Sequence, residues 1–240
     1  MKKIFLITIL AFTLWGCGDT SNAIDDSKDD NSHDEENFDT GTYPISYFIT
    51  DYCVPSNIEV KNISGVLNLI IKGEVYSTYK GHSTYEKAKE FAEFYGDISY
   101  SGFATPGMTE SLAYPIDKIT LSSVDDFDAE HPAGKPLDDI VKLEYETFYE
   151  YIKNGYKLPD GTPRENNKNG WELVRTLYFE NINAEVATLV HLDPFVAQLI
   201  NVTPLLHFAS KPETPGEYTF TLEMTTNGET LKTEFTHTFE

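Results

Sequence analysis

One short segment places four carboxylates next to a histidine. Asp125, Asp126, Asp128 and Glu130 precede His131. Short carboxylate-rich loops supply the oxygen ligands that Ca²⁺ takes, so the four acidic residues are a candidate calcium site. The glycine and distal glutamate of an EF-hand are absent. The interpretation that we favour is a solvated turn in which Asp and His side chains cap nearby backbone groups.

The histidines do not form a recognisable metal motif. They stand at positions 33, 82, 131, 191, 207 and 237, and no pair has the i, i+4 or His-x-His spacing of a zinc site. We therefore predict no zinc site. A Gly-x-Ser-x-Gly elbow, a phosphate-binding glycine loop and a dinucleotide fingerprint are also absent, so we predict no catalytic residue and no cofactor. Paired carboxylates of a glycosidase are recognised only in space, which leaves that class of enzyme open.

Aromatic residues are concentrated at Tyr145, Phe148, Tyr149, Tyr151 and Tyr156. Exposed rings can stack on sugars, whereas inward-facing rings pack in a core. The helical spacing described below predicts that the first three are buried. Tyr151 and Tyr156 are therefore the candidate ligand-binding residues.

The N-terminus has the layout of an export signal. Two lysines precede an apolar run that extends to Trp15, which is shorter than the about 20 residues of a membrane-spanning helix. Residues 14–17, Leu-Trp-Gly-Cys, resemble the lipobox of bacterial lipoproteins. This resemblance implies that residues 1–16 are removed as a signal peptide and that lipid on Cys17 holds the chain on a membrane. The alternative is an ordinary secretory signal followed by a chance cysteine.

The next segment is strongly acidic. Residues 18–40 carry nine acidic side chains and one lysine. Such a segment repels itself and has little to bury, so residues 17–42 are predicted to be the lipidated cysteine and a disordered tether. Lys28-Asp29-Asp30 resembles the signal that sends Bacteroidota lipoproteins to the cell surface. The resemblance implies a lipid-anchored outer-membrane protein that faces outward.

The charge of the remaining chain excludes one class of partner. The formal net charge is −21; residues 1–17 contribute +2 and residues 18–40 contribute −8, so residues 41–240 carry −15. Nucleic-acid affinity needs clustered Lys and Arg, and the chain has only two arginines, Arg164 and Arg175. We therefore predict no nucleic-acid partner.

Residues 43–240 are predicted to form a single β-rich domain, since no linker-like composition divides them. Cys53 is the one cysteine left after lipidation of Cys17, so an intrachain disulfide is excluded. Its apolar and aromatic surroundings favour a buried, inert thiol over a nucleophile.

Alternating residues predict strands. Apolar and polar residues alternate from Tyr218 to Thr225 and from Leu231 to Thr238, and Asn227-Gly228 between them is a strong hairpin signal. Residues rich in β-branched and aromatic side chains predict five further strands, at 45–52, 66–79, 116–122, 173–179 and 205–209.

Two segments predict helices. Ser83-Thr84-Tyr85-Glu86 has the pattern of a capping box, and the residues that follow share one apolar face up to Gly96. Residues 136–154 also show apolar spacing of three and four, before Gly155. The apolar positions of this second helix are Leu137, Ile140, Val141, Tyr145, Phe148, Tyr149 and Ile152. Residues 159–170 are predicted to be an exposed loop.

A sheet with one apolar face must be covered, so these elements predict a mainly β antiparallel sandwich with one or two inserted helices. Residues 119–123, 125–128, 131–134, 137–139 and 215–220 together resemble the pattern of Bacteroidota surface lipoproteins classed only as domains of unknown function. The resemblance implies an immunoglobulin-like sandwich, and it brings no known activity or site.

The lipid anchor, the acidic tether and the lack of catalytic motifs favour a non-enzymatic surface module that binds or adheres to a glycan or an envelope protein. A structural subunit or accessory of a fimbria-like assembly is the alternative, in which strands are exchanged between subunits. A glycan-processing hydrolase is a third hypothesis, and it needs a cleft with convergent carboxylates or a perturbed histidine.

Overall fold

The computed structural model describes residues 47–101, 109–162, 173–192 and 204–240. The predicted signal peptide, Cys17 and the acidic tether lie outside the described residues, as do the start of the strand predicted at 45–52 and most of the loop predicted at 159–170. All described residues belong to one compact unit, Gly41–Glu240.

Ten strands and two helices follow one another along the described residues. In chain order they are β1 (Asp51–Ile63), β2 (Val66–Ser77), α1 (Tyr85–Tyr95), β3 (Glu110–Leu112), β4 (Ile116–Ser123), β5 (Val141–Glu146), α2 (Tyr149–Lys153), β6 (Val174–Tyr178), β7 (His191–Leu192), β8 (Leu205–Phe208), β9 (Gly216–Thr226) and β10 (Glu229–Phe239). No helix of the described residues is long and apolar enough to cross a membrane.

The strands form two sheets that pack face to face. The larger sheet has the order β6-β5-β8-β2-β1-β3-β7, and the smaller has the order β10-β9-β4. Neighbours are antiparallel except β1 and β3, which run parallel. Ile58 and Leu69 of the larger sheet share one core with Leu222 and Met224 of the smaller sheet. The prediction of a mainly β sandwich with few helices is confirmed.

The C-terminal hairpin forms as its alternation predicts. β9 and β10 pair along their whole length, from Thr226 opposite Glu229 to Gly216 opposite Phe239. Asn227 and Gly228 both have positive φ, the backbone geometry that a two-residue hairpin turn requires and that Asn and Gly tolerate best. Both halves of the pattern predicted from sequence are therefore correct.

A bulge shapes the long β1–β2 hairpin. Proline has no N–H to donate, and the register between these strands shifts between Pro55 and Asn57. Gly73 lies opposite Pro55, and a Cβ atom there would lie 1.8 Å from the carbonyl oxygen of Val54. Only glycine fits this close approach of two backbones.

Helix α1 forms where its apolar face predicts, but without the capping box. Its buried residues are Ala88, Phe91, Ala92 and Tyr95, and Gly96 ends it in the left-handed conformation. The N-cap residue Thr84 makes no side-chain cap bond. Its hydroxyl oxygen instead accepts the N–H of Ser77 at 2.9 Å, which ties the start of α1 to the end of β2.

The helix predicted over residues 136–154 is wrong. Residues Val141–Glu146 form strand β5, and only Tyr149–Lys153 is helical. Within β5 the buried side chains alternate with half-buried Lys and Glu, and they are Val141, Leu143 and Tyr145. The same residues also fit the period of two of a strand. Pairing with β6 on one side and β8 on the other stabilises the strand over the helix.

A second hydrophobic cluster lies beneath the helices. It joins α1 and α2 to the segment that enters β1, and its members are Phe48, Ile49, Tyr52, Ala88, Phe91, Ala92, Tyr95, Ala113, Phe148, Tyr151, Ile152, Leu173 and Leu189. Because both helices pack on this cluster, their outward faces are held next to each other.

Candidate functional site

The acidic segment bonds to its own backbone. One oxygen of Asp128 accepts the N–H groups of Glu130 and His131, at 2.9 and 2.8 Å. An oxygen of Asp126 accepts the N–H of Ala133 at 2.8 Å. These are the capping bonds of a local turn. In the part of the chain that the structure describes, no group of three or more His, Cys, Asp or Glu side chains could hold a metal ion.

His131 is buried between two carboxylates. Its Nδ1 lies 2.8 Å from Asp128 and its Nε2 lies 3.0 Å from Asp139. Burial of the ring lowers the pKa of His131, but hydrogen bonds to the two carboxylates outweigh it and the net pKa is raised. The histidine therefore fastens the turn to the segment before β5, and its ring is 4% exposed.

Tyr151 and Tyr156, the candidate ligand-binding residues, pack in or against the second hydrophobic cluster. Tyr151 is 4% exposed and packs against Phe48, with 5.0 Å between ring centroids. Tyr156 is half-buried and donates its hydroxyl to Asp97 at 2.9 Å. Tyr149, predicted to be buried, is only half-buried. The phase differs because α2 begins at residue 149 and does not continue a helix from residue 136.

Asp97 is a fully buried carboxylate directly after α1. It accepts the N–H groups of Phe48 and Ile49, both at 2.8 Å, besides the Tyr156 hydroxyl. Burial raises the pKa of Asp97 above its usual value, and these hydrogen bonds only partly oppose that effect. The carboxylate fixes the segment that enters β1 against the end of α1. The sequence signal that could have identified Asp97 is an acidic residue directly after the glycine that ends a helix with one apolar face.

An open groove of about 940 Å³ lies between the two helices. α1 and α2 form two of its walls, and residues 113–115 and 184–188 form the rest. Positions 87, 90, 91, 94 and 95 of α1 line it, which is one face of a helix. Sequence reasoning did not find this groove, because its four segments are far apart along the chain.

Five aromatic rings line the groove. They are Phe91, Phe94, Tyr95, Tyr114 and Tyr149. Phe91 meets Tyr114 edge to face at 5.5 Å between centroids, and Tyr95 meets Tyr149 in the same way at 6.5 Å. Phe94 is 79% exposed, although such a ring normally avoids water. The Tyr95 hydroxyl donates to the carbonyl of Ala113 at 2.9 Å, which fixes this wall.

Five charged side chains line the groove among the rings. Lys87 lies 2.7 Å from Glu90, and Lys153 lies 3.8 Å from Glu150. The hydrogen bond to Glu90 raises the pKa of Lys87 above its usual value. Glu185 is exposed and, among the described residues, has no ion-pair partner. Rings with hydrogen-bonding groups around them form a surface that can hold a small polar molecule.

Comparison with known proteins adds no identification. No family model matches the sequence, no curated protein matches it, and no solved structure matches the fold. The resemblance to Bacteroidota surface lipoproteins therefore stays a prediction.

Proposed function

We propose that the chain is a lipid-anchored surface lipoprotein whose folded unit is a non-enzymatic glycan-binding module. The observation that carries the proposal is the groove between α1 and α2, with five aromatic rings and the 79% exposed Phe94. An exposed apolar ring at a concave site is typical of a ligand-binding surface.

The chemistry of the groove favours a sugar. The apolar C–H face of a sugar ring packs on an aromatic face, while its hydroxyl groups need donors and acceptors at the edge. Lysine and glutamate side chains supply both here. The volume of about 940 Å³ also lies in the usual range for small-molecule sites, which is roughly 300–1,000 Å³.

The location is proposed from the N-terminal residues alone. Lipid on Cys17 would hold the chain on the outer membrane, and the acidic residues 18–40 would extend the binding unit away from it. Labelling of cells with a fatty-acid analogue tests this directly. We expect the wild-type chain to carry the label and to stay in the membrane fraction. The Cys17→Ser variant should carry no label and should leave the membrane fraction.

Glycan binding is tested with an array probed by the full chain in mild detergent. Phe94→Ala should lose the binding that the wild-type chain shows. Tyr79→Ala is the matched control, because Tyr79 is 39% exposed and does not line the groove. Equal binding by both variants would contradict the groove as the site, and a wild-type chain that binds no glycan would contradict the function.

The two alternative functions have less support. A fimbria-like subunit exchanges its last strand or an N-terminal strand with a neighbour, and the more obvious of these donors, β10, is instead paired with β9 from end to end. A glycan-processing hydrolase needs a cleft with convergent carboxylates or a perturbed histidine, and no histidine is among the described residues that line the groove. Glu90 and Glu150, which line the groove, are 66% and 49% exposed and are held by lysines.

A further inference from the structure

Both lysines of the groove already have a carboxylate partner. Lys87 bonds Glu90 at 2.7 Å and also lies 5.1 Å from the centre of the Phe91 ring. Lys153 lies 3.8 Å from Glu150 and 5.4 Å from the centre of the Tyr149 ring. Each ammonium group thus has a carboxylate and an aromatic face as partners within its own helix. An acidic sugar would have to compete with a glutamate for either of them.

Glu185 gives the groove its excess charge. Three glutamates and two lysines line the groove, so Glu185 leaves it with one net negative charge. A turn fixes its position: the N–H of Glu185 donates to the side-chain oxygen of Asn183 at 2.9 Å, and the N–H of Ala187 donates to the Asn183 carbonyl at 3.0 Å. The turn places the backbone of Glu185 at the groove, where its exposed carboxylate presents two acceptor oxygens to hydroxyl or ammonium groups.

Two rings are left as surfaces for stacking. Lysines lie over one face of Phe91 and of Tyr149, and Tyr95 is 8% exposed. Phe94 is 79% exposed and Tyr114 is half-buried, and each lines the groove. Sugar rings would therefore lie on Phe94 and Tyr114.

We infer that the groove takes neutral or amino sugars and rejects acidic ones, with Glu185 as the residue that determines this specificity. The inference rests on the proposed glycan-binding function and names the class of sugar. The Glu185 carboxylate accepts hydrogen bonds from two sugar hydroxyls or from an ammonium group. A uronate would meet this carboxylate with like charge, on a folded region that carries −15.

The test measures affinity calorimetrically for the full chain in mild detergent. The probes are neutral hexose oligosaccharides, oligoglucosamine and oligogalacturonate of equal length. We expect binding of a neutral or amino oligosaccharide and no binding of oligogalacturonate. Glu185→Ala should lower the affinity for the probe that binds by about tenfold, because one good polar contact is lost. If a neutral sugar binds, Glu185→Gln should retain it, since the amide keeps one acceptor oxygen.

Charge reversal provides the sharpest variant. Glu185→Lys places an unpaired cation in the groove, and we expect it to bind oligogalacturonate and to lose any oligoglucosamine affinity. Because Glu185 is exposed, its replacement should leave the fold intact, so misfolding would not explain a change in binding. Circular dichroism of each variant checks that the fold is kept. Oligogalacturonate binding by the wild-type chain, or unchanged specificity in Glu185→Lys, would overturn the inference and leave glycan binding intact. A wild-type chain that binds none of the three sugar classes would overturn the proposed function itself.

Discussion

Replacement of the buried carboxylate Asp97 by alanine should destabilise the fold. The change leaves the N–H groups of Phe48 and Ile49 without the acceptor that each has at 2.8 Å. Phe48 is 7% exposed and Ile49 is fully buried, so water cannot easily replace the carboxylate. The third donor, the Tyr156 hydroxyl, belongs to a half-buried residue and can turn to solvent.

The size of the loss follows from the two N–H groups. A buried donor without a partner costs about 1–3 kcal/mol. Removal of the carboxylate also removes its own cost of burial, which offsets part of the loss. We therefore expect Asp97→Ala to lower the free energy of unfolding by about 2–4 kcal/mol, a large share of the about 5–15 kcal/mol of a typical domain.

Urea denaturation of the Gly41–Glu240 unit, followed by circular dichroism, measures this change. Asp125→Ala is the matched control, because Asp125 is exposed and its replacement should stay within about 0.5 kcal/mol of wild type. If Asp97→Ala were as stable as this control, the two N–H groups would have other partners and the reasoning would be refuted.

The pH dependence of the same site has a definite sign. Burial raises the pKa of Asp97 above 3.8, so the folded protein binds this proton more tightly than the unfolded chain does. The contribution of Asp97 to stability must then fall as pH rises above 3.8 through the folded pKa. Asp97→Asn does not titrate, and the stability of wild type relative to this variant should be greatest at low pH. A difference that grows with rising pH would contradict the sign of the shift.

Three further predictions concern other positions. Burial lowers the pKa of His131, but its two carboxylate partners outweigh burial and raise the pKa above 6.5. The stability that wild type has over His131→Gln should therefore be present below pH 6.5 and decline above it. Urea titrations at several pH values measure this difference. Gly73→Ala should cost at least about 2 kcal/mol by overpacking against the Val54 carbonyl, whereas Gly216→Ala, where a Cβ would meet no atom within 4 Å, should be nearly neutral in the same thermal unfolding assay. Burial raises the pKa of the Cys53 thiol to about 12, so a thiol reagent should leave it unmodified in the native chain and react on unfolding; rapid native reaction would show that the thiol is accessible.

Local patterns predicted much of the sandwich. Residues 218–225 and 231–238 alternate on either side of Asn227-Gly228, and both strands and their turn appear where that pattern places them. Residues 66–79 and 116–122 also hold strands, as β2 and β4. β3 and β7 were missed because strands of three and two residues are too short to show a period.

Two other errors have a common cause. Most of β1 was missed because polar residues and Pro55 interrupt its alternation, and its pairing with β2 overrides them. β5 was predicted as part of a helix because Val141, Tyr145 and Phe148 recur at intervals of three and four. Whether such a segment becomes strand or helix depends on neighbours that are distant in sequence, and local spacing carries no information about them.

The sequence by itself determined the strand alternation, the terminal hairpin turn, the apolar face of α1 and the excess of negative charge. Each of these is a property of neighbouring residues or of composition. Only the tertiary structure decided that Asp97 is buried, that Tyr149 and not Tyr151 lines the groove, and that α1, α2 and residues 113–115 and 184–188 form the walls of one groove. These features depend on which segments meet in space, and that arrangement is fixed by packing of the two sheets and of the second hydrophobic cluster.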